Sequence, residues 1–129
     1  MAAADSHLAV LASAGFPVEK FAAGEVIIRE GSHGNKMYVV CSGRVSIERD
    51  GKAIEGLGAG DSFGEMSLID GAPRSATARA ETDCEVAPIT ERTFLRLVHE
   101  TPIFALTVMH NLADRLRRAN ERWLSELQL

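Results

Sequence analysis

The regular spacing of glycine between residues 24 and 71 restricts the fold of this chain more than any other feature of its sequence. Glycines recur there at intervals, among them those at positions 24, 31, 34, 43, 51, 60, 64 and 71. Short runs with strand character lie between and after them: EVIIRE, KMYVVCS, RVSIERD, KAIEGL, SATARA and CEVAPI. Many short strands separated by turns are typical of an antiparallel sandwich or barrel. Asp50-Gly51 predicts a tight hairpin, and Pro88 predicts a strand end or an edge position.

The hydrophobic period becomes helical after Thr90. ERTFLRLVHE predicts a short amphipathic helix, and Pro102 suits the first turn of a longer one. Six residues at alternating steps of four and three form one face of this longer helix, apolar except at the asparagine: Met109, Ala113, Leu116, Asn120, Trp123 and Leu127. Asp5 or Ser6 can cap a further helix near the N-terminus.

These patterns predict one domain over residues 1–129, mainly β with flanking α. We expect the β-structure over about residues 18–90 and the C-terminal helices over about residues 91–127. The 129 residues are 46% hydrophobic and 25% charged, which is typical of a folded domain rather than a disordered chain.

Charge and cysteine usage narrow the function classes. Eighteen acidic against 14 basic side chains argue against a nucleic-acid partner, because binding to phosphate backbones favours a basic excess. No apolar run approaches the roughly 20 residues that span a bilayer, and the N-terminus lacks the basic start of a signal peptide. Cys41 and Cys84 lie in apolar runs without metal-ligand spacing, which favours reduced thiols in a cytoplasmic protein.

The stretch FGEMSLIDGAPRSATARA, residues 63–80, contains the candidate ligand-binding residues. Residues 65–70 predict a short helix that Gly71 and Pro73 end, and a helix start attracts anions. The planar guanidinium of Arg74 matches phosphate oxygens, and Ser75 adds a neutral donor.

Glu65 is a poor neighbour for a phosphate alone, but a carboxylate accepts hydrogen bonds from hydroxyls. A nucleotide is a ligand that has a phosphate beside a sugar hydroxyl. The apolar residues Val45, Phe63 and Met66 either shelter a base or belong to the core. In the alternative interpretation, Glu65 and Arg74 form an ordinary surface ion pair.

Residues 63–80 resemble the phosphate-binding cassette of cyclic nucleotide-binding domains, as in the catabolite activator, kinase regulatory subunits and nucleotide-gated channels. The resemblance rests on Gly64-Glu65 followed by Pro73-Arg74-Ser75-Ala76 at the family spacing, and it extends over about residues 20–127. It implies an antiparallel β-roll, jelly-roll-like, with an N-terminal helix, a short cassette helix and C-terminal lid helices.

The resemblance also implies the ligand contacts. Glu65 would bind the ribose 2′-hydroxyl, and Arg74 the exocyclic phosphate oxygens. Gly64 and the backbone of Met66 and Ser67 would approach the sugar-phosphate. Ser75 and the backbone N–H of Ala76 would assist Arg74 at the phosphate. The ligand would be cyclic AMP, with cyclic GMP less favoured because Ser75 is not a threonine.

The long last helix would be the lid over the base, and in the catabolite activator a similar helix also forms a dimer seam. Ala119 departs from the small hydroxyl residues of that protein. Asn120 then contacts the base, sets the register of a dimer, or faces solvent. Val45, Phe63, Arg115 and Trp123 are further candidates for base or lid contacts.

We expect no catalysis, metal or cofactor. The four histidines are scattered rather than clustered as in a metal-dependent cupin, and no nucleophile–base pair is evident. The chain ends directly after the lid helix, without a DNA-reading helix pair. It is therefore predicted to be a stand-alone sensor that signals to an unknown protein by lid movement, or an excised domain. The alternative function is a degenerate interaction module without a ligand.

Overall fold

Antiparallel pairing organises all eight strands of the part of the chain that the computed structural model describes, residues 16–127. The strands are β1 (Glu19–Phe21), β2 (Val26–Ile28), β3 (Lys36–Ser42), β4 (Val45–Arg49), β5 (Lys52–Leu57), β6 (Ser62–Phe63), β7 (Thr77–Ala80) and β8 (Cys84–Thr90). The helices are α1 (Met66–Ile69), α2 (Glu91–Glu100) and α3 (Ile103–Leu127). The predicted N-terminal helix lies outside the described residues.

Two four-stranded sheets form the β-roll, with strand orders β1-β8-β3-β6 and β2-β7-β4-β5. The predicted mainly-β fold with flanking helices is thereby confirmed. The assignment of residues 1–129 to a single domain stays a prediction.

The hairpin predicted at Asp50-Gly51 is present. Arg49 pairs with Lys52, so the two residues between them form the turn. Asp50 has φ 53° and Gly51 φ 79°. Two consecutive residues with positive φ are what a hairpin turn of the primed type needs, because its twist matches that of the strands.

The sheet containing β3 and β8 is buried on both faces. Val40 and Val86 pack against the second sheet, together with Val45 of β4. Met37 and Ile89 point to the opposite face and pack against α2 and α3. This double burial explains why β3 and β8 read as nearly continuous apolar runs rather than as alternating ones.

Pro88 lies inside β8, opposite Tyr38 of β3, and not at the end of the strand. The strand β1 pairs only with residues 84–86, so the side of β8 that β1 would cover is open at Pro88. A residue without an N–H is tolerated at such a position because no ladder hydrogen bond is lost there. The prediction of an edge position therefore holds locally, within a strand that is otherwise internal.

The two C-terminal helices cover the outer face of the first sheet. The Thr90 hydroxyl caps α2 by accepting the Thr93 N–H at 3.2 Å. Phe104 and Val108 anchor the first half of α3 in the core. From residue 116 to 125, every residue of α3 is exposed. The second half of the helix thus leaves the core and projects along the side of the β-roll.

Candidate ligand-binding site

A cavity of about 410 Å³ opens between the cassette, the β4–β5 hairpin and α3. Cassette residues at positions 63–67 and 73–76 line it. Ile47 and Ile54 of the β4–β5 hairpin and Leu112 and Leu116 of α3 line it as well. The lining thus combines polar cassette side chains with apolar side chains of the hairpin and α3, as small-molecule sites commonly do.

The cassette turn depends on Gly64. Its φ is +80°, which disfavours a residue with a side chain. A Cβ at this position would also lie 2.8 Å from Nη1 of Arg74 and 3.1 Å from Cδ1 of Ile28. Because the turn is so close to Arg74, its carbonyl oxygen can accept a hydrogen bond from that side chain.

Arg74 is buried, with 9% of its surface exposed. Its Nη1 donates to the Gly64 carbonyl at 3.1 Å and its Nη2 to the Lys36 carbonyl at 2.9 Å. Its backbone N–H donates to Ser32 O at 2.8 Å, and its carbonyl accepts from Gly31 N at 2.8 Å. Burial lowers the pKa of this guanidinium from its ordinary value, and Tyr38 opposes that shift. The side chain is held in one orientation, with N–H groups to spare for an anion.

The loop between β2 and β3 also contacts Arg74. A Cβ on Gly34 would lie 2.4 Å from Nη2 of Arg74, so only glycine leaves room for the guanidinium. The Ser67 hydroxyl donates to the Gly34 carbonyl at 2.8 Å and fixes this loop to α1. The position of the arginine is therefore set by the cassette and the β2–β3 loop together.

Glu65 is the second buried charge, with 3% of its surface exposed. Its Oε2 accepts the Ser62 hydroxyl at 2.5 Å, and its Oε1 accepts Nη1 of Arg115 at 3.3 Å. Each carboxylate oxygen has further lone-pair capacity for a ligand hydroxyl. The alternative of a surface ion pair between Glu65 and Arg74 is wrong: both are buried, and among the described side chains Glu65 pairs with Arg115 instead.

Arg115 brings α3 to the cassette. Besides Glu65, it contacts the Ser62 carbonyl through Nη2. Its Nε lies 3.2 Å from Oε2 of Glu55, although the Nε–H is not directed at that oxygen. Arg115 thus connects α3, the β6–α1 turn and β5.

Glu55 was not a candidate in the sequence because it lies in a strand without motif character. The structure places its carboxylate, 8% exposed, within 3.2 Å of both Arg115 and Arg118. The only available sequence signal was its charge in an otherwise partly apolar strand.

The remaining candidates separate into two groups. Phe63, Met66, Ser67, Ser75 and Ala76 line the cavity with Gly64, Glu65, Arg74 and Arg115. Val45 is fully buried between the sheets, and Asn120 and Trp123 are exposed on α3. Among the described residues these last three do not line the cavity. Residues 112, 115, 116, 119 and 122 form the face of α3 that does, so Asn120 lies beside that face.

The arrangement suits a ligand that carries both an anion and a hydroxyl. Arg74 offers charged donors to the cavity, and Glu65 offers acceptors to it. Within the described part of the chain, no group of three or more histidine, cysteine, aspartate or glutamate side chains is placed to hold a metal ion. No described helix is long and apolar enough to cross a membrane.

Comparison with known proteins agrees with this geometry. The family model described as cyclic nucleotide-binding domain matches residues 18–101. This chain belongs to the cyclic nucleotide-binding domain family. A cyclic nucleotide-gated potassium channel from Rhizobium etli is 39% identical over 72% of this chain and 26% of the channel. The cyclic AMP receptor protein of Thermus thermophilus is 36% identical over 75% of this chain and 47% of that protein.

The fold comparison points to the same family. The crystal structure of the Thermus thermophilus catabolite activator protein aligns with a TM-score of 0.75 and 32% identity, over 96% of this chain and 59% of that one. The chain spans about a quarter and about half of the lengths of the two curated relatives. The relation therefore covers the cyclic nucleotide-binding domain and leaves the remainder of those proteins aside.

Substitution of Glu55 by glutamine should loosen the second half of α3. Losing the charge that faces Arg115 and Arg118 should cost about 1 kcal/mol, since both arginines are partly exposed, and this corresponds to roughly fivefold faster local opening. Amide hydrogen exchange of residues 112–125 measures the change. Glu48→Gln is the matched control, because Glu48 pairs with Arg79 away from the cavity. Equal exchange in the two variants would contradict the role given to Glu55.

Proposed function

We propose that this domain is a sensor that binds cyclic AMP, and cyclic GMP less tightly. The observation that supports it most is the pair of buried, oppositely charged side chains, Glu65 and Arg74, that line one cavity without pairing with each other. In the proposed complex Arg74 binds the phosphate and Glu65 the ribose 2′-hydroxyl, with the cassette backbone and Ser75 in support. The preference for cyclic AMP draws on Ser75 and on the similarity to a protein named cyclic AMP receptor protein.

The proposed role is binding rather than catalysis. Hydrogen bonds hold the side chains of Glu65 and Arg74 in fixed orientations. Binding a ligand requires only that its polar groups meet side chains held in this way. We further propose that the chain acts in the cytoplasm, consistent with its two free thiols, Cys41 and Cys84, and that it signals to another protein. The competing function is an interaction module that has lost its ligand.

Calorimetric titration tests the ligand. A cyclic nucleotide has about 22 non-hydrogen atoms, and at roughly −0.3 kcal/mol per atom we expect a Kd of tens of micromolar or tighter. Arg74→Ala should weaken binding about tenfold to a hundredfold, because charge-assisted hydrogen bonds contribute about 1.5–3 kcal/mol. Arg79→Ala, at an arginine outside the cavity lining, is the control. A folded, nucleotide-free protein that binds neither ligand would favour the interaction module.

We propose that the ligand acts by shifting the position of α3. Arg115 of α3 forms an ion pair with Glu65. A ribose hydroxyl that binds Glu65 would therefore change the contacts that hold the helix. The chain has one tryptophan, Trp123, and it lies 60% exposed in the projecting half of α3.

Saturating cyclic AMP should therefore change the emission of Trp123. At a cyclic AMP concentration equal to the wild-type Kd, the change should be about five- to fiftyfold smaller in Arg74→Ala, because the occupancy of that variant falls from one half to roughly 1–9%. Emission and α3 amide exchange that stay unchanged in the liganded wild type would exclude helix movement as the signal.

We propose a second copy of the chain as a partner of α3. Its exposed face follows a heptad pattern, with Met109, Leu116 and Trp123 in one core position, 56%, 63% and 60% exposed. Asn120 falls in the other core position, where asparagine sets the register of parallel two-stranded coiled coils. This favours the register-setting interpretation of Asn120 over a base contact.

Sedimentation equilibrium tests the dimer. Met109→Glu should weaken association about tenfold or more, because it buries two like charges in the seam. Leu95→Glu is the matched control, since Leu95 is 61% exposed on α2 and is not part of the heptad pattern of α3. A wild type that is monomeric at hundreds of micromolar, or equal effects of the two substitutions, would refute the seam.

A further inference from the structure

The cavity between the cassette, the β4–β5 hairpin and α3 carries an excess of positive charge. Its charged lining consists of four arginines and two glutamates: Arg49, Glu55, Glu65, Arg74, Arg115 and Arg122. These side chains give the lining a formal charge of +2, although the whole chain carries −4. A ligand with a single negative charge would balance only half of this excess.

Arg49 contributes to the excess from β4 and lies beside the cassette. It is the last residue of β4, and the preceding residue, Glu48, pairs with Thr77 of β7. Its Nε donates to the Ser75 carbonyl at 3.1 Å, so the guanidinium is held next to the residue that follows Arg74. Among the described side chains, none forms an ion pair with Arg49. Its two Nη groups carry the donors that a phosphate would meet.

The charge of the phosphate distinguishes two classes of nucleotide. The phosphate of a cyclic nucleotide is a diester with one negative charge, which the guanidinium of Arg74 alone can balance. A nucleoside 5′-monophosphate carries a phosphate monoester, whose charge is about −1.5 to −2 at pH 7. It also keeps both ribose hydroxyls, and the carboxylate oxygens of Glu65 have lone pairs for both. The second cation beside the cassette therefore suits the linear nucleotide better than the cyclic one.

We propose that the cavity also binds nucleoside 5′-monophosphates, and that Arg49 binds the second negative charge of their phosphate. Arg74 and Arg49 would then hold the monoester from two sides of Ser75, because a planar guanidinium matches phosphate oxygens. The linear nucleotide would compete with the cyclic one for the same cavity. The inference rests on the proposed function, because it places the phosphate of a nucleotide beside Arg74.

Three adenine nucleotides that differ in charge and ring closure test the proposal: cyclic AMP, 5′-AMP and the methyl ester of 5′-AMP. The methyl ester is linear like 5′-AMP but has a single negative charge like cyclic AMP. Each is titrated calorimetrically into the wild type and Arg49→Gln. Glutamine removes the charge and keeps an amide N–H that can donate to the Ser75 carbonyl.

The wild type should bind 5′-AMP within about tenfold of its affinity for cyclic AMP. Because Coulomb energy is proportional to the charge of the ligand, Arg49→Gln should weaken 5′-AMP about tenfold and each singly charged nucleotide about threefold. Arg44→Gln is the matched control, since Arg44 is an exposed arginine just before β4 and does not line the cavity. It should change each affinity by less than about twofold.

The outcomes separate this inference from the proposed function. A folded wild type that binds none of the three nucleotides overturns both. A wild type that binds cyclic AMP but binds 5′-AMP more than about a hundredfold more weakly overturns the inference alone. Equal weakening of 5′-AMP and its methyl ester by Arg49→Gln also overturns it, because the second charge then has no partner in Arg49. An equal effect of Arg44→Gln does so too, because the attraction is then diffuse. Circular dichroism verifies that each variant is folded.

Discussion

The contact between Arg115 and Glu65 determines how α3 relates to the rest of the domain. Glu65 is almost completely buried, and an uncompensated carboxylate there would cost several kcal/mol. Its cationic partner comes from a helix whose second half has left the core. The solvation of one carboxylate is thus coupled to the position of a whole helix. Any ligand that supplies new donors to Glu65 acts directly on the anchor of α3.

Arg74 is in the opposite electrostatic situation. Among the described ion pairs none includes it, and backbone carbonyls of Gly64 and Lys36 orient its guanidinium. Carbonyl dipoles satisfy N–H groups but do not neutralise a charge. Burial lowers the pKa of Arg74, which reports the same desolvation. The cavity lining therefore includes a guanidinium that forms no ion pair with the described side chains, and an anion would be stabilised beside it more than in open solvent.

The sequence was sufficient to predict those elements whose structure depends on residues adjacent in the chain. The Asp50-Gly51 turn and six of the strands follow from residues adjacent in the chain. The strands β1 and β6 were missed because three and two residues are too few to show a period. Their existence depends on pairing with β8 and β3, which lie far away in sequence.

The same division applies to the site. Gly64, Glu65 and Arg74 lie within one short stretch, so their spacing could be compared with a family pattern. Glu55 belongs to the site only because the roll brings β5 beside α3. Val45 was a candidate because it is apolar, but strand alternation turns it between the sheets. Whether Asn120 faces the cavity depends on the rotation of α3 about its axis. One helical step of about 100° separates Asn120 from the lining residue Ala119.

In the proposed function, that rotation would let one helix contact the ligand and the partner together. The cavity face of α3 carries residues 112, 115, 119 and 122, and the seam face carries 109, 116 and 123. Leu116 belongs to both: it lines the cavity and is 63% exposed along the seam. In the proposed function, a helix that turns to cover a base would change what it presents at the seam, because the two faces are parts of one rigid rod. A small tilt of α3 about Arg115 would displace the exposed end of the helix further than the part near the pivot. The proposed signal would then need no pathway through the β-roll, since the cavity face and the seam face are adjacent on the same helix.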